Sequence, residues 1–281
     1  MKTTFLISKH LFLVGLLTLF TQIGGLVWLL NLPLFAWLNR KYKAGWRRLL
    51  AKTGLFISTY LLATFLIVPP LANRFCGRVP LPIWSNDNLR PHSVTYYCLL
   101  NHHYVKPELK AAAESVAERI SKKYPGTVLC YLDANFPFIN GYPLEPHFSH
   151  RDGKKLDVAL HWKGAKTEMP IFGTPSFYGY GACALPLPGE IDMEPECRKK
   201  GNWYRSFEKD LAEKFYENED FIFDETRSEE MIRLFAHEKG VRKILLEPHL
   251  KRRLGLKGYD KIRFQGCKAA RHDDHIHIQV R

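Results

Sequence analysis

The sequence predicts a mixed α+β domain attached to an N-terminal membrane anchor. Three observations predict it: two long uncharged apolar stretches lie in the first 75 residues, helical and strand-like hydrophobic patterns follow in mixed order, and no regular βαβ repeat is present. The remaining 206 residues hold 32 basic and 28 acidic side chains, a nearly balanced charge. A segment of this size can bury a core of its own. We therefore expect an anchor over 1–75 and one domain over 76–281.

Two stretches near the N-terminus have the length of transmembrane helices. Residues 11–39 and 53–73 contain no charged side chain, and each exceeds the roughly 20 residues that a helix needs to cross a bilayer. The sequence therefore predicts transmembrane helices at about 11–38 and 53–73. The segment between them, 40–52, contains six Lys or Arg and no acid, which predicts a cytoplasmic loop by the positive-inside rule. Both termini and the domain are then expected on the other side of the bilayer.

The net charge of +13 does not indicate a nucleic-acid partner. Residues 1–75 carry nine basic side chains and no acidic one, so most of the excess lies beside the predicted membrane segments. Neither apolar segment contains an internal charged residue that would mark an ion path. We interpret the helices as an anchor whose partner is the lipid bilayer.

The cysteines agree with this sidedness. All six lie beyond the second apolar segment, which favours disulfides in an oxidising compartment. Their pairing is left open among fifteen possibilities, and buried free thiols are the alternative for some of them. They are Cys76, Cys98, Cys130, Cys183, Cys197 and Cys267.

The first half of the domain shows helix, strand and loop patterns in turn. Pro107 is typical of a first helical position, and apolar residues at helical spacing follow it until Pro125 and Gly126 end the run. Residues 127–133 predict a strand. The Pro-, Gly- and Asn-rich residues 134–149 predict a loop.

A second predicted strand carries polar side chains on one face. Apolar and polar residues alternate over 156–162, which places Asp157 and His161 on the same face. Residues 163–200 contain Gly and Pro repeatedly and are expected to form a long insertion, either a functional lid or groove wall or a surface loop held by a disulfide.

The second half returns to helices and strands. A helix is expected over 203–216, and another from Thr226, with Glu229 at capping-box spacing and Gly240 as its C′ residue. A strand over 241–246 follows. Pro248 then opens a short helix.

The chain ends on a strand pattern that carries histidines. Ile276 and Ile278 are expected to face the core, while His275 and His277 project to the opposite side, about 6.6 Å apart at Cα. Two imidazoles on one face can share a metal ion, and a catalytic zinc site takes three protein ligands. A third ligand must come from elsewhere in the chain.

The segment around residue 150 can supply it. His150 lies in the predicted loop, Asp157 follows on the polar face of a strand, and Gly153 permits a tight turn between them. The His-x6-Asp spacing alone is weak evidence. The metal-site prediction is strengthened because the alternation of apolar and polar residues independently places each candidate ligand on a polar face.

These motifs resemble a known family. Ser149-His150-x-x-Gly153-x-x-x-Asp157, together with His272-x-x-His275-x-His277, resembles the penicillin-insensitive murein endopeptidases, members of the lysostaphin, D-alanyl-D-alanine carboxypeptidase and hedgehog metallopeptidase group. Residues 228–254 are similar to the helix, strand and short helix that precede the terminal histidines in that family. The resemblance covers about a quarter of the chain.

The resemblance implies a zinc site on a small antiparallel sheet. Its ligands are expected to be His150, Asp157 and His277. Two membrane helices in place of a cleaved signal, and the insertion over 163–200, depart from the family and bear on the substrate.

Three residues are candidate catalytic groups. His275 is implied to be the general base or a stabiliser of the transition state, and His272 matches a further active-site histidine of the family. Asp274 is a competing base, ranked third because strand alternation points it away from His277.

The expected function is hydrolysis of peptide cross-links in peptidoglycan by a zinc enzyme of the bacterial inner membrane, with its catalytic domain on the periplasmic side. A D,D-carboxypeptidase or dipeptidase with the same ligands is an alternative. A non-catalytic zinc domain that binds the wall or a partner is another.

The remaining histidines of the domain are interpreted as surface or structural residues. His161 is the exception that could hydrogen-bond and orient Asp157, because it shares the predicted strand face with that carboxylate. They are His102, His103, His147, His161, His237 and His249.

Overall fold

A computed structural model describes residues 2–145, 147–202 and 220–281 of the chain, and it shows a mixed α+β architecture. The described helices are α1 Lys2–Thr21, α2 Gly24–Lys41, α3 Trp46–Cys76 with a π-helical stretch at Ala63–Ile67, α4 Pro107–Lys123, α5 Glu194–Lys199, α6 Glu225–His237 and α7 Pro248–Arg253. The strands are β1 Val79–Pro80, β2 Leu89–Pro91, β3 Tyr104–Val105, β4 Leu129–Tyr131, β5 Lys155–Ala159, β6 Trp162–Gly164, β7 Phe221–Phe223, β8 Val241–Leu245, β9 Ile262–Arg263 and β10 His275–Val280.

The predicted helix over 11–38 is not one helix. Gln22 adopts a left-handed backbone with φ of 64°, and the chain reverses there between α1 and α2. The two helices pack closely because Gly25 has no side chain: a Cβ there would lie 2.0 Å from Thr18 Oγ1. Among the described residues, only α3 is long and apolar enough to cross a membrane by length and composition. The predicted helix over 53–73 lies within it.

The domain is built on a six-stranded sheet with the order β2-β4-β5-β10-β8-β9. The last strand of the chain, β10, is central and runs antiparallel to both β5 and β8. On one face, α4 and α6 supply apolar side chains that bury Ile276 and Ile278 completely. The other face carries the candidate site.

Several predicted elements are confirmed. Helix α4 begins at Pro107 as expected, α7 opens at Pro248, and β4, β8 and β10 lie within or closely match the predicted strands. The insertion over 163–200 is mostly irregular, since residues 171–193 contain no helix or strand. The helix expected over 203–216 lies outside the described residues.

The predicted strand over 156–162 stops early. Strand β5 ends at Ala159, which pairs with His275 at the first position of β10. Trp162 begins β6 and pairs instead with Phe223 of β7. Strand β5 ends at Ala159 because its partner β10 begins at the opposite residue, His275. Beyond that point the chain pairs with β7.

The predicted ends of α6 are also wrong. Its N-cap is Asp224, whose Oδ1 accepts a hydrogen bond from the Arg227 backbone N at 3.0 Å, so Thr226 is already inside the helix. A carboxylate cap satisfies a free N–H and interacts favourably with the helix dipole. The helix ends at His237, before Gly240.

The six cysteines are not fully paired. Cys197 in α5 forms a disulfide with Cys267, 70 residues later. The other four are thiols, of which Cys98 and Cys130 are buried among apolar side chains of the core. The expected disulfide set is therefore reduced to one bond among the described residues.

Candidate metal centre

The register of β5 and β10 places the two predicted segments side by side. His277 is the cross-strand partner of Asp157, and His275 pairs with Ala159. Alternation along β10 puts His275 and His277 on the face opposite the apolar core. This face is covered as well, so the side chains of Asp157, His275 and His277 are buried.

A tightly bonded loop brings His150 to the same place. Asn135 donates to the Lys155 carbonyl at 2.8 Å and accepts from the Gly153 backbone N at 3.0 Å. The buried guanidinium of Arg78 bonds the Phe136 carbonyl and passes against Gly153, which has φ of 80°. A Cβ on Gly153 would lie 3.0 Å from Arg78 Nε, so this position requires glycine for its conformation and its space.

Three donor atoms converge at the centre. His150 Nε2 lies 3.0 Å from His277 Nδ1 and 3.2 Å from Asp157 Oδ1, and His277 Nδ1 lies 2.9 Å from Asp157 Oδ1. Tetrahedral zinc with bonds of about 2.0–2.1 Å separates its ligand atoms by roughly 3.3–3.4 Å. The structure thus brings the predicted ligand set together at nearly the spacing that a small divalent ion requires.

The orientation of His150 also fits a metal ligand. Its Nδ1 lies 2.7 Å from the Ala134 carbonyl oxygen and donates to it, which leaves the lone pair of Nε2 directed at the site. Metal-binding histidines commonly donate their other ring nitrogen in this way.

His147, which the sequence analysis assigns to a surface or structural position, lies at the candidate site. Its Nδ1 lies 3.2 Å from Asp157 Oδ2. Ligand atoms of His147, His150 and Asp157 all lie within 4.8 Å of one another, so this group can hold a metal ion. His147 precedes His150 by three positions in the same loop, and this spacing was the signal available in the sequence.

The sequence analysis did not identify two further residues of the site, Tyr180 and Asp133. The hydroxyl of Tyr180 lies 3.0 Å from Asp157 Oδ2 and 3.1 Å from Asp133 Oδ2. Its ring stacks on His147 at 4.6 Å and contacts His275 edge-on at 4.8 Å between centroids. Tyr180 belongs to the insertion, so this segment forms one wall of the site and is more than a surface loop.

The three candidate catalytic residues lie beside the ligands. Asp274 Oδ1 accepts a hydrogen bond from His275 Nδ1, and Asp274 Oδ2 accepts one from the Gly181 backbone N at 2.6 Å. His275 Nε2 is 3.7 Å from Asp157 Oδ2. The His272 ring centroid lies 4.9 Å from that of His275 and 6.0 Å from that of His277. Asp274 is therefore placed to orient His275, and His275 is placed to reach the centre.

A cleft of about 780 Å³ opens onto these groups. Its walls come from three segments, at 147–149, 178–181 and 265–272. Exposed Phe148 lies on the wall beside His147.

The electrostatics leave two predicted ligands ready for a cation. Burial raises the pKa of Asp157, but the nearby charges of His150 and His275 outweigh it and hold that pKa well below its usual range. Burial lowers the pKa of His277 to about 4. Near neutral pH the first is a carboxylate and the second a neutral imidazole, the protonation states that metal binding needs.

His150 behaves differently. Burial lowers its pKa, but attraction to Asp157 outweighs burial and raises it above the usual imidazole value. Its neighbour Asp133 has a lowered pKa despite burial, because His102 donates to it at 2.8 Å. The carboxylates of Asp133 and Asp157 are therefore both ionised among these imidazoles.

The other histidines have structural positions. His161, expected to share the Asp157 face, instead packs near Asp224, and its backbone N donates to Ser228 Oγ at 3.0 Å. Its suggested support of Asp157 is wrong because the strand breaks before it. His249 bonds the Ala184 carbonyl at 2.8 Å, His103 is buried, and His237 is exposed.

No family model matches the sequence, and no curated protein matches it significantly.

Proposed function

We propose that this protein is a membrane-anchored, zinc-dependent peptidase that cleaves peptide cross-links of peptidoglycan. The observation that carries the proposal is the convergence of His150, Asp157 and His277 within 3.2 Å of one another at a cleft, with His275 and Asp274 beside them. The substrate class rests on the motif resemblance. The metal rests also on the donor geometry.

His150, Asp157 and His277 would hold the ion, and His147 is placed to complete or replace one ligand. When bound, zinc supplies a Lewis acid that polarises the scissile carbonyl and lowers the pKa of a bound water toward neutrality.

The chain's own groups would move the proton. His275 is the base: Asp274 fixes its Nδ1 as a donor, so its Nε2 can accept a proton from the attacking water and return it to the leaving amine. Asp274 is ionised, since His275 lowers its pKa against the effect of burial. Tyr180 covers the centre and limits the entry of bulk water.

Exposed apolar side chains on all three N-terminal helices support the anchor, with Leu11, Leu30 and Leu66 each more than 60% exposed.

The antiparallel packing of α1 and α2 supports a topology in which the N-terminus lies at the same end as the basic loop 40–52. At that end Lys9 and Lys52 are close enough for their charges to interact. This differs from the expectation that both termini are outside. The domain remains on the opposite side from the basic loop, as expected from the positive-inside rule.

Digestion of purified cross-linked muropeptides by the full chain in detergent tests the proposal. We expect dimers to be split, and His275→Ala to reduce the rate by about 10²–10⁴-fold while zinc stays bound. His237→Ala, a change of an exposed histidine, is the matched control and should retain full activity. Release of free D-alanine without dimer cleavage would instead identify a carboxypeptidase. Full activity in His275→Ala would remove its assigned role.

A further inference from the structure

A row of basic side chains lies next to the candidate metal centre on the same sheet face. In the register of the three central strands, Gln279 pairs with Lys155 on one side and Lys243 on the other. The neighbouring row, two residues along, is Asp157, His277 and Leu245. Side chains two residues apart on a strand share a face, so Lys243 points to the side that carries the metal ligands.

The edge strand adds another cation. Arg263 pairs with Leu245 in the parallel contact of β8 and β9. Leu245 and Gln265 line the cleft, and Lys243 and Arg263 each precede one of them by two residues. The two cations therefore lie beside residues of the cleft lining, each two positions away along the chain.

Lys243 is a partly buried cation, and such cations usually have a carboxylate partner. Within the described part of the chain it has no ion-pair partner, and the charges that act on it are those of Lys155, Arg263 and Arg242. Burial and these like charges lower its pKa. Lys155 has a carboxylate partner, Asp152, at 2.6 Å. Repulsion among like charges is unfavourable, and an anion placed between them would relieve it.

We propose that Lys243, with Arg263, forms an anion subsite that binds a carboxylate of the peptide substrate. This inference rests on the proposed peptidase function and narrows its substrate to acidic peptides. One row of the sheet is about 6.6 Å, close to the length of two residues of an extended peptide. The bound carboxylate is therefore expected about two residues from the scissile bond.

Kinetics on paired substrates test the subsite. The zinc-loaded full chain is assayed on muropeptide dimers with free carboxylates and on the same dimers after amidation. We expect Lys243→Gln to raise KM for the free-carboxylate dimers about tenfold, the size of one lost charged hydrogen bond, with kcat and metal content unchanged. On amidated dimers the variant should equal the unmodified protein. Lys257→Gln, a change of an exposed lysine that is not among the cleft residues, is the control.

Binding measurements keep the two proposals separable. If the full chain cleaves neither dimer, the peptidase function fails, and equilibrium binding of the same dimers still tests the subsite. Weaker binding of free-carboxylate dimers alone to Lys243→Gln supports the subsite. Equal loss for both dimers, or no loss, overturns it. Reduced binding of Lys243→Gln to anionic lipid vesicles with unchanged peptide binding also overturns it, since the patch would then be a membrane surface.

Discussion

Asp157 presents its two carboxylate oxygens to different neighbours. Oδ1 faces His150 and His277, while Oδ2 faces His147 and Tyr180. One oxygen can therefore bind an ion while the other is held in place. Ligands fixed by such outer contacts lose less freedom when the ion binds.

Removal of the Tyr180 hydroxyl tests this support. Tyr180→Phe keeps the ring contacts with His147 but removes the hydrogen bond to Asp157, so we expect zinc affinity to fall by about tenfold, measured by competition with a chromophoric chelator. Tyr259→Phe, whose ring packs on His237 outside the site, is the control. Unchanged affinity in Tyr180→Phe would show that the phenol does not orient the ligand.

A buried histidine outside the site predicts a pH dependence of stability. Burial lowers the pKa of His161 to about 4, below the unfolded value near 6.5. As pH falls from 6.5 to 4, the unfolded chain takes up a proton that the folded chain does not, so this residue's contribution to stability is lost across that window. The slope is about 1.4 kcal/mol per pH unit.

The measurement is the free energy of unfolding of the chelator-treated protein against pH, for the unmodified chain and His161→Gln. The variant should show a shallower fall between pH 6.5 and 4. Parallel curves would mean that His161 is protonated in the folded protein.

At this scale the sequence predicted only part of the site. His150, Asp157 and His277 could be found because strand alternation and a paired motif mark them. Tyr180 could not, because its relation to Asp157 depends on how the irregular insertion folds over the sheet. Asp133 could not either, because it lies beside Asp157 only through the pairing of β4 with β5. Residues 171–193 form no helix or strand, so no hydrophobic periodicity predicts where this segment lies.

At the scale of elements, the position of β10 organises the domain. Being central, it contributes Ile276 and Ile278 to the core on one face and two histidines to the site on the other. Its alternating pattern in the sequence correctly predicted this division. The end of β5 at Ala159 was not predictable, since it follows from where β10 begins and β7 takes over.

The disulfide connects two walls of the cleft. Cys197 lies in the insertion that also carries Tyr180, and Cys267 lies in the segment that lines the cleft before β10. Closing a loop of this length restricts the unfolded chain and is worth roughly 4 kcal/mol.

We expect the double change Cys197→Ser and Cys267→Ser to lower the free energy of unfolding by an amount of that order, measured by denaturant titration. Cys76→Ser, a change of a partly exposed thiol, is the control and should have little effect. An equal loss in both proteins would assign the effect to serine substitution and not to the bond.

At the scale of the whole molecule, the N-terminal helices contact the loop that carries the site histidines. Gln22 Oε1, at the turn between α1 and α2, accepts from the Phe138 backbone N at 2.8 Å, and the Tyr142 hydroxyl donates to the Thr18 carbonyl at 2.7 Å. The sequence predicted an anchor here but not this docking. A left-handed Gln22 has no sequence signature of its own, and an uncharged run of this length fits one helix as well as two.

Fusions to reporter enzymes test the resulting topology. A reporter that is active only in the cytoplasm should function at the N-terminus, and one that is active only outside should function at the C-terminus. The antiparallel α1 and α2 are the physical reason, since they return the N-terminus to the side of the basic loop. Outward activity at both termini would restore the two-helix topology.

The metal content of the full chain, purified in detergent, tests the central claim most directly. We expect about one zinc ion per chain, removed by a chelator, absent from His150→Ala and Asp157→Asn, and retained in His161→Gln. A chain that binds no divalent ion, or a His150→Ala variant with full zinc occupancy, would contradict the account.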